Sequence, residues 1–154
     1  MEEQGKEIWQ LIKASKNLDL NSAYSYLLLC RYFSDTCVVA EVGGKIAGFI
    51  SAFCPPDNPE VIFVWQVAVE QSFRRRGLGM AMLKHLLSRE ACAGVDYLEI
   101  TVNPSNQAAY SLYYKLAEEL DTSCKESICF PSYFFPGKQH EDEIMLRIGP
   151  LNLE

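Results

Sequence analysis

Histidine and tryptophan are scarce in this chain: each occurs twice among 154 residues. Neither His85 nor His140 adjoins a cysteine pair, so no metal centre is expected. No CxxC motif is present, and no apolar stretch approaches the roughly 18 residues that a membrane-crossing helix needs. Basic residues are in deficit, 14 against 20 acidic, which leaves a formal charge of −6. Nucleic acid demands the opposite balance and is not an expected partner. The opening Met1-Glu2-Glu3-Gln4 has neither a basic n-region nor an apolar h-region, so no secretory signal is expected. Six cysteines (Cys30, Cys37, Cys54, Cys92, Cys124 and Cys129) at irregular spacings read as free thiols of a reducing cytoplasm.

Apolar residues, by contrast, are plentiful. Hydrophobic types make up 49% and aromatics 12%, with 22% charged, which excludes wholesale disorder and fibrous character. The length fits one domain, 1–154, large enough to bury its own core. An acidic balance mildly favours a cationic small molecule as partner.

Periodicity divides the chain into alternating elements. Ile8, Leu11 and Ile12 share a face of a helix over 3–15, and Asn21 or Ser22 caps a second running to about Phe33. Two β-prone runs, 37–42 and 45–53, flank Gly43-Gly44 and read as a hairpin. Pro55, Pro56 and Pro59 mark a loop. Val61 to Val69 reads as a central strand covered on both faces. A polar, glycine-bearing loop over 72–79 leads into a helix, followed by a strand over 97–102 and a turn at 103–106. A helix then runs from Ala108 to about Leu120. Residues 121–142 read as an aromatic loop and 143–148 as a final strand. Helices alternating with strands imply an α/β (α+β) arrangement, a mixed sheet with helices on its faces.

The segment richest in chemistry is Val67-Ala68-Val69-Glu70-Gln71-Ser72-Phe73-Arg74-Arg75-Arg76-Gly77-Leu78-Gly79-Met80-Ala81. A strand enters a basic turn that opens a helix. Gly77 and Gly79 let backbone approach a ligand, and the N–H groups of the helix start, with its dipole, attract an anion. Arg74, Arg75 and Arg76 add charge-assisted donors suited to phosphate oxygens. The segment is not a P-loop, which needs Gly-Lys-Ser/Thr, nor a dinucleotide fingerprint, whose third glycine is here Met82.

Arg74-x-x-Gly77-x-Gly79 after a strand resembles the acetyl-CoA signature of the GNAT superfamily of N-acetyltransferases. Asn106-Gln107-Ala108-Ala109-Tyr110-Ser111-Leu112-Tyr113-Tyr114-Lys115 is similar to that family's N-x-x-A-x-x-L-Y-x-K helix. The resemblance implies the GNAT fold: a mixed, mostly antiparallel sheet flanked by helices, with a splay between two central strands. It implies acetyl-CoA as co-substrate, with Val67, Ala68 and Val69 along the pantetheine. Arg74, Arg75, Arg76, Gly77, Leu78, Gly79, Met80 and Ala81 would hold the phosphates, with Asn106 and Tyr113 near the sulfur. Segments 19–30, 63–69 and 146–150 extend the resemblance to the branch of that superfamily that acetylates the 4-amino group of L-2,4-diaminobutyrate. That branch serves ectoine synthesis, hence osmotic stress.

An alkyl ammonium has a pKa near 10, so about one part in a thousand is nucleophilic at pH 7. The site must deprotonate the amine, and strand amides near Val67 must stabilise the oxyanion of direct attack. Glu99, the only acid in the 97–102 strand, is the expected base; Tyr113 is the expected donor to the departing thiolate. The resemblance makes Asp19 the amine anchor. Asn21, Tyr24, Trp65, Gln66, Thr101, His140 and Glu141 are expected around the acceptor, Trp65 and Tyr24 as aromatic faces for a cation. The resemblance also implies a homodimer, with apolar residues around 24–33 and 128–135 as interface or pocket wall. Two other readings stay open here: another small amine or polyamine as acceptor, and a non-catalytic module that binds coenzyme A.

Overall fold

A computed structural model describes residues 2–15, 18–137 and 139–153. Helices α1 (Gly5–Ala14) and α2 (Ala23–Tyr32) precede strands β1 (Val38–Val42), β2 (Lys45–Phe53) and β3 (Val61–Val69). Helix α3 (Leu78–Ser88), strand β4 (Tyr97–Val102) and helix α4 (Gln107–Glu119) follow. Strands β5 (Ser123–Phe130) and β6 (Glu143–Gly149) close the chain. The six strands form one sheet in the order β1-β2-β3-β4-β6-β5. Only β3 and β4 run parallel; every other neighbouring pair is antiparallel.

Spacing of apolar residues decides which face each helix buries. On α1, Ile8, Leu11 and Ile12 are buried, and on α2, Tyr26, Leu29 and Cys30 repeat the same i, i+3, i+4 stripe. These meet Phe49 and Ala68 on one face of the sheet, where Tyr26 packs edge-on to Phe49 at 6.1 Å. The other face carries the larger core: Met82, Leu83, Leu86 and Leu87 of α3 and Tyr113, Leu116 and Ala117 of α4 cover Ile50, Ile62, Val64, Leu98, Ile100 and Leu146. Ser22 caps α2 by accepting the Ser25 N–H, and Asn106 caps α4 by accepting that of Ala109 at 3.1 Å. Gly43 and Gly44 both adopt positive φ, which a two-residue hairpin turn requires.

The sheet opens at its centre. β3 and β4 pair only from Val61↔Tyr97 to Val64↔Ile100. The next residues, Trp65 and Thr101, do not pair with each other, and the strands part into a fork. The cause lies on the opposite edge of β3. There Ser51 pairs with Gln66 but Ala52 pairs with Val64, so Trp65 is the extra residue of a β-bulge. The Ser51 hydroxyl, fully buried, accepts the Gln66 N–H at 3.2 Å and keeps the ladder satisfied. A bulge also inverts the side-chain alternation. Ile62 and Val64 face the α3–α4 core, whereas Ala68, in the third pair beyond the bulge, joins the α1–α2 core. The expectation of a strand covered on both faces therefore fails at one place: Trp65 is 40% exposed.

A second expectation is overturned at 121–142, which is not all loop, since Ser123–Phe130 forms β5. Its sequence, SCKESICF, hides the strand. β5 is an edge strand, paired only with β6 and exposed at most positions, so no apolar alternation is required of it.

Gln66 ties the bulge to the segment before α2. Buried to 4% exposure, it accepts the Tyr26 hydroxyl at 3.0 Å and donates to the Asp19 carbonyl at 2.7 Å. Replacing Gln66 with Leu removes both partners at once and should cost about 1–3 kcal/mol of stability, read as a lower urea midpoint at unchanged slope.

Candidate active site

Two chemically opposite ends flank the fork. At the first, β3 leads through a short turn into α3. Gly77 is the N-cap of α3 at φ 77°, in the left-handed region, and a Cβ there would meet nothing within 4 Å. No side chain caps this helix, so the N–H groups of Leu78, Gly79 and Met80 are left without intrahelical partners, beside the positive end of the dipole. Ala81 differs from the expectation, because its N–H already bonds the Gly77 carbonyl at 3.0 Å. Arg74 curls back and donates Nε to the Val69 carbonyl at 3.1 Å, and Arg76 lies over the Phe73 ring at 5.6 Å. Arg75 holds a positive φ of 65°, a strained state for a branched-out side chain that recurs at ligand sites. All three arginines are exposed. The result is a cationic turn of free amides and guanidiniums.

The second end is acidic. Asp19, His140 and Glu143 bring ligand atoms within 4.8 Å of one another. His140 Nε2 lies 3.4 Å from Asp19 Oδ2 and 3.9 Å from Glu143 Oε1. Its Nδ1 lies 2.6 Å from the Glu141 carbonyl, which accepts only if Nδ1 carries the proton. That bond, helped by Asp19 and Glu143, holds the imidazole above its usual pKa. Burial pushes the Glu143 carboxyl up as well, against a hydrogen bond from Thr101. The ring of His140 stacks on Phe135 at 3.7 Å and 7°. Two carboxylates and an imidazole at this range suit an ammonium group.

Several expected acceptor residues are relocated. Thr101 and Trp65 both follow the last β3–β4 pair and stand at the fork. Gln66 is buried and holds the Asp19 backbone, so it braces the pocket rather than lining it. Asn21 contributes its backbone N–H to the Tyr26 hydroxyl at 3.4 Å. Tyr24 is 66% exposed and joins no hydrogen bond or ring pair among the described residues. Glu141 turns away from the cluster: its carboxylate binds Ser105 through both N–H and hydroxyl. Glu143 carried no signal in the sequence beyond its place in the acidic run 141–143.

The two expected catalytic residues also find definite surroundings. Glu99 pairs with Phe63 in the closed part of the β3–β4 ladder, and Arg147 Nη1 donates to its carboxylate at 3.1 Å. Arg147 in turn lies 3.9 Å over the Tyr97 ring. A carboxylate committed to a guanidinium below the fork is a poor free base, which corrects that expectation. Tyr113 points into the main core, only 2% exposed, and burial keeps its hydroxyl protonated. Tyr114 points outward and donates to Glu126. Asn106 spends its side-chain oxygen as the α4 cap.

A forked sheet with an anion-binding helix start is the frame of an acyl-CoA-dependent transferase. The Acetyltransferase (GNAT) family matches residues 6–117, and the chain belongs to that family. Within it, relatives named L-2,4-diaminobutyric acid acetyltransferase come from Halalkalibacterium halodurans and Shouchella clausii. They are 47% and 48% identical, covering 97% of this chain in each case and 79% and 83% of their own. The diaminobutyrate acetyltransferase of Paenibacillus lautus, solved with its substrate L-2,4-diaminobutyric acid and coenzyme A, superposes at a TM-score of 0.96. It is 47% identical, over 99% of this chain and 93% of that one. Ard1 from Thermoplasma volcanium, at 18% identity and a TM-score of 0.78, shares the fold.

The acidic end predicts a pH effect. Protonated His140 faces Asp19 and Glu143 with a positive charge that opposes a cationic ligand. As pH rises through its elevated pKa this charge is lost, and the Glu143 carboxyl, also held above its usual value, gives up its proton as pH rises. Affinity for a small diamine should therefore increase from about pH 6 to 8, and His140→Asn should flatten most of that rise in isothermal titration.

Proposed function

We propose that this chain transfers acetyl from acetyl-CoA to the 4-amino group of L-2,4-diaminobutyrate, giving N4-acetyl-L-2,4-diaminobutyrate. The observation that carries the reading is the fork itself, with a phosphate-binding helix start at one end and an ammonium-binding cluster at the other. The relatives' substrate supplies the identity of the amine.

The residues present fit coenzyme A. Asn103 Oδ1, at the end of β4, is buried with no hydrogen-bond partner among the described residues. A buried acceptor left unpaired costs about 1–3 kcal/mol, and a pantetheine arm brings amide N–H groups. The unpaired rim of β3 from Trp65 to Val69, about 13 Å of strand, offers the arm further backbone partners. The Leu78, Gly79 and Met80 amides with Arg74, Arg75 and Arg76 would hold the phosphates. Bound acetyl-CoA supplies an acetyl group activated as a thioester.

The chain's own residues do the rest. Asp19 and Glu143 attract the diammonium acceptor, and Trp65 gives it an aromatic wall. The proton of the attacking ammonium passes to the cluster rather than to Glu99. His140, with Nδ1–H committed to a carbonyl, offers Nε2 as acceptor, and Glu143 is poised by its raised pKa. Free amides of the β3 rim near Val67 are the donors for charge developing on the carbonyl oxygen. The resemblance of the 106–115 helix to the family's gives Tyr113 the part of proton donor to the departing thiolate, a role that burial, which raises its pKa, does not itself supply.

The same reading extends to setting. The product suits synthesis of the compatible solute ectoine, and so a response to osmotic stress. Six free cysteines favour a reducing cytoplasm. No helix among the described residues is long and apolar enough to cross a membrane. Ile128, Phe130, Tyr133 and Phe134, from 46% to 80% exposed on edge strand β5 and the turn after it, support a homodimer.

Incubating the protein with acetyl-CoA and L-2,4-diaminobutyrate should release free thiol and give one monoacetylated product by mass spectrometry, with the acetyl on the 4-nitrogen. Turnover of spermidine with none of the diamino acid would overturn the substrate. Gly77→Asp sets a carboxylate at the helix start and should abolish coenzyme A binding, while far-ultraviolet circular dichroism stays native. Unchanged cofactor affinity would remove the turn from the site.

A further inference from the structure

The connection 131–142 between β5 and β6 carries His140 into the acceptor pocket, and among its described residues the one regular element is a 3-10 turn, Ser132–Phe134. A connection of that length samples many conformations unless something pins it. Internal contacts hold its base: the Ser132 N–H donates to Asp142 Oδ1 at 2.6 Å, and Phe135 stacks on His140. Those bonds shape the loop without attaching it to the rest of the site.

Besides the contact of His140 with Asp19, the attachment is made by Glu141. Its Oε2 accepts the Ser105 hydroxyl at 2.5 Å and its Oε1 accepts the Ser105 N–H at 3.3 Å. Ser105 lies in the turn between β4 and α4, next to the capping Asn106. The backbone carbonyl of the same Glu141 holds His140 Nδ1 at 2.6 Å. One residue thus grips the fixed turn with its side chain and the imidazole with its main chain. Both Glu141 and Ser105 are exposed, so these bonds contribute little to global stability. What they fix is geometry.

We infer that Glu141 is a positioning residue, a latch from Ser105 that holds the 131–142 loop so that His140 Nε2 meets Asp19 and Glu143. The inference rests on acetyl transfer to a small diamino acid at this site. It assigns to Glu141 no contact with the acceptor and to Ser105 no part in the chemistry.

Steady-state kinetics of the full chain with acetyl-CoA and L-2,4-diaminobutyrate test the latch. Glu141→Ala should raise the amine KM about tenfold and lower kcat several-fold, because His140 also takes the proton, while the acetyl-CoA KM moves less than about twofold. Ser105→Ala should act in the same direction. The double variant should be no worse than Glu141→Ala, because the two residues form one interaction. Glu141→Gln retains an oxygen for Ser105 and should recover most of the loss. An unchanged amine KM in Glu141→Ala, or losses that multiply in the double variant, would overturn the latch. So would a fall in melting temperature accompanied by equal loss for both substrates. A wild-type protein that acetylates no diamino acid would overturn both readings together, whereas normal wild-type turnover with unaffected variants overturns this one alone.

Discussion

The site depends on the ending of one ladder. β3 and β4 pair for four residues and then part, because the extra residue at Trp65 bends β3 away. In a continuous sheet the backbone groups beyond Val64 and Ile100 would be spent on each other. Here they are not spent on each other. The bulge is stabilised locally: Ser51 satisfies the displaced amide, and Gln66 locks its reversed side chain against Tyr26 and Asp19. A distortion that creates an opening is thereby made rigid.

Charge is sorted along this opening. Exposed guanidiniums and uncapped amides gather where β3 runs into α3, and carboxylates gather around His140 where β4 meets β6. The overall charge of −6 conceals this separation. On the proposed function, an anionic carrier and a cationic acceptor would be drawn to different ends and would meet at the fork. Neither field opposes the other's ligand, which a uniformly acidic or basic cleft could not achieve.

The parts of this arrangement differ in how plainly the sequence displays them. Helices, the glycine hairpin, β3, β4 and the turn at 74–79 were legible because each rests on local chemistry: periodicity, a positive φ, a run of arginines. The anion-binding end lies almost wholly in one continuous stretch. β5 was not legible, since an exposed edge strand obeys no apolar alternation. Nor was the bulge, whose only trace is that Gln66 interrupts an apolar run. Roles set by tertiary partners were misjudged for the same reason. Glu99 was an isolated acid until Arg147 came beside it from β6. Glu141 was one of three acids in a row until its carboxylate met Ser105. Glu143, from that same run, gained its setting only when β6 placed it against Thr101 and His140.

The proposed acceptor pocket would draw its side chains from scattered places: Asp19 from the segment before α2, Trp65 from β3, Thr101 from β4, His140 from the long connection, Glu143 from β6. The phosphate end is inherited as a block. Change in the first can thus accumulate piece by piece, with the carrier's grip left intact. A scaffold partitioned in this way lets one donor serve a diversity of recipients, and exchange of the 131–142 segment between members of the fold is the natural route by which recipients would be traded.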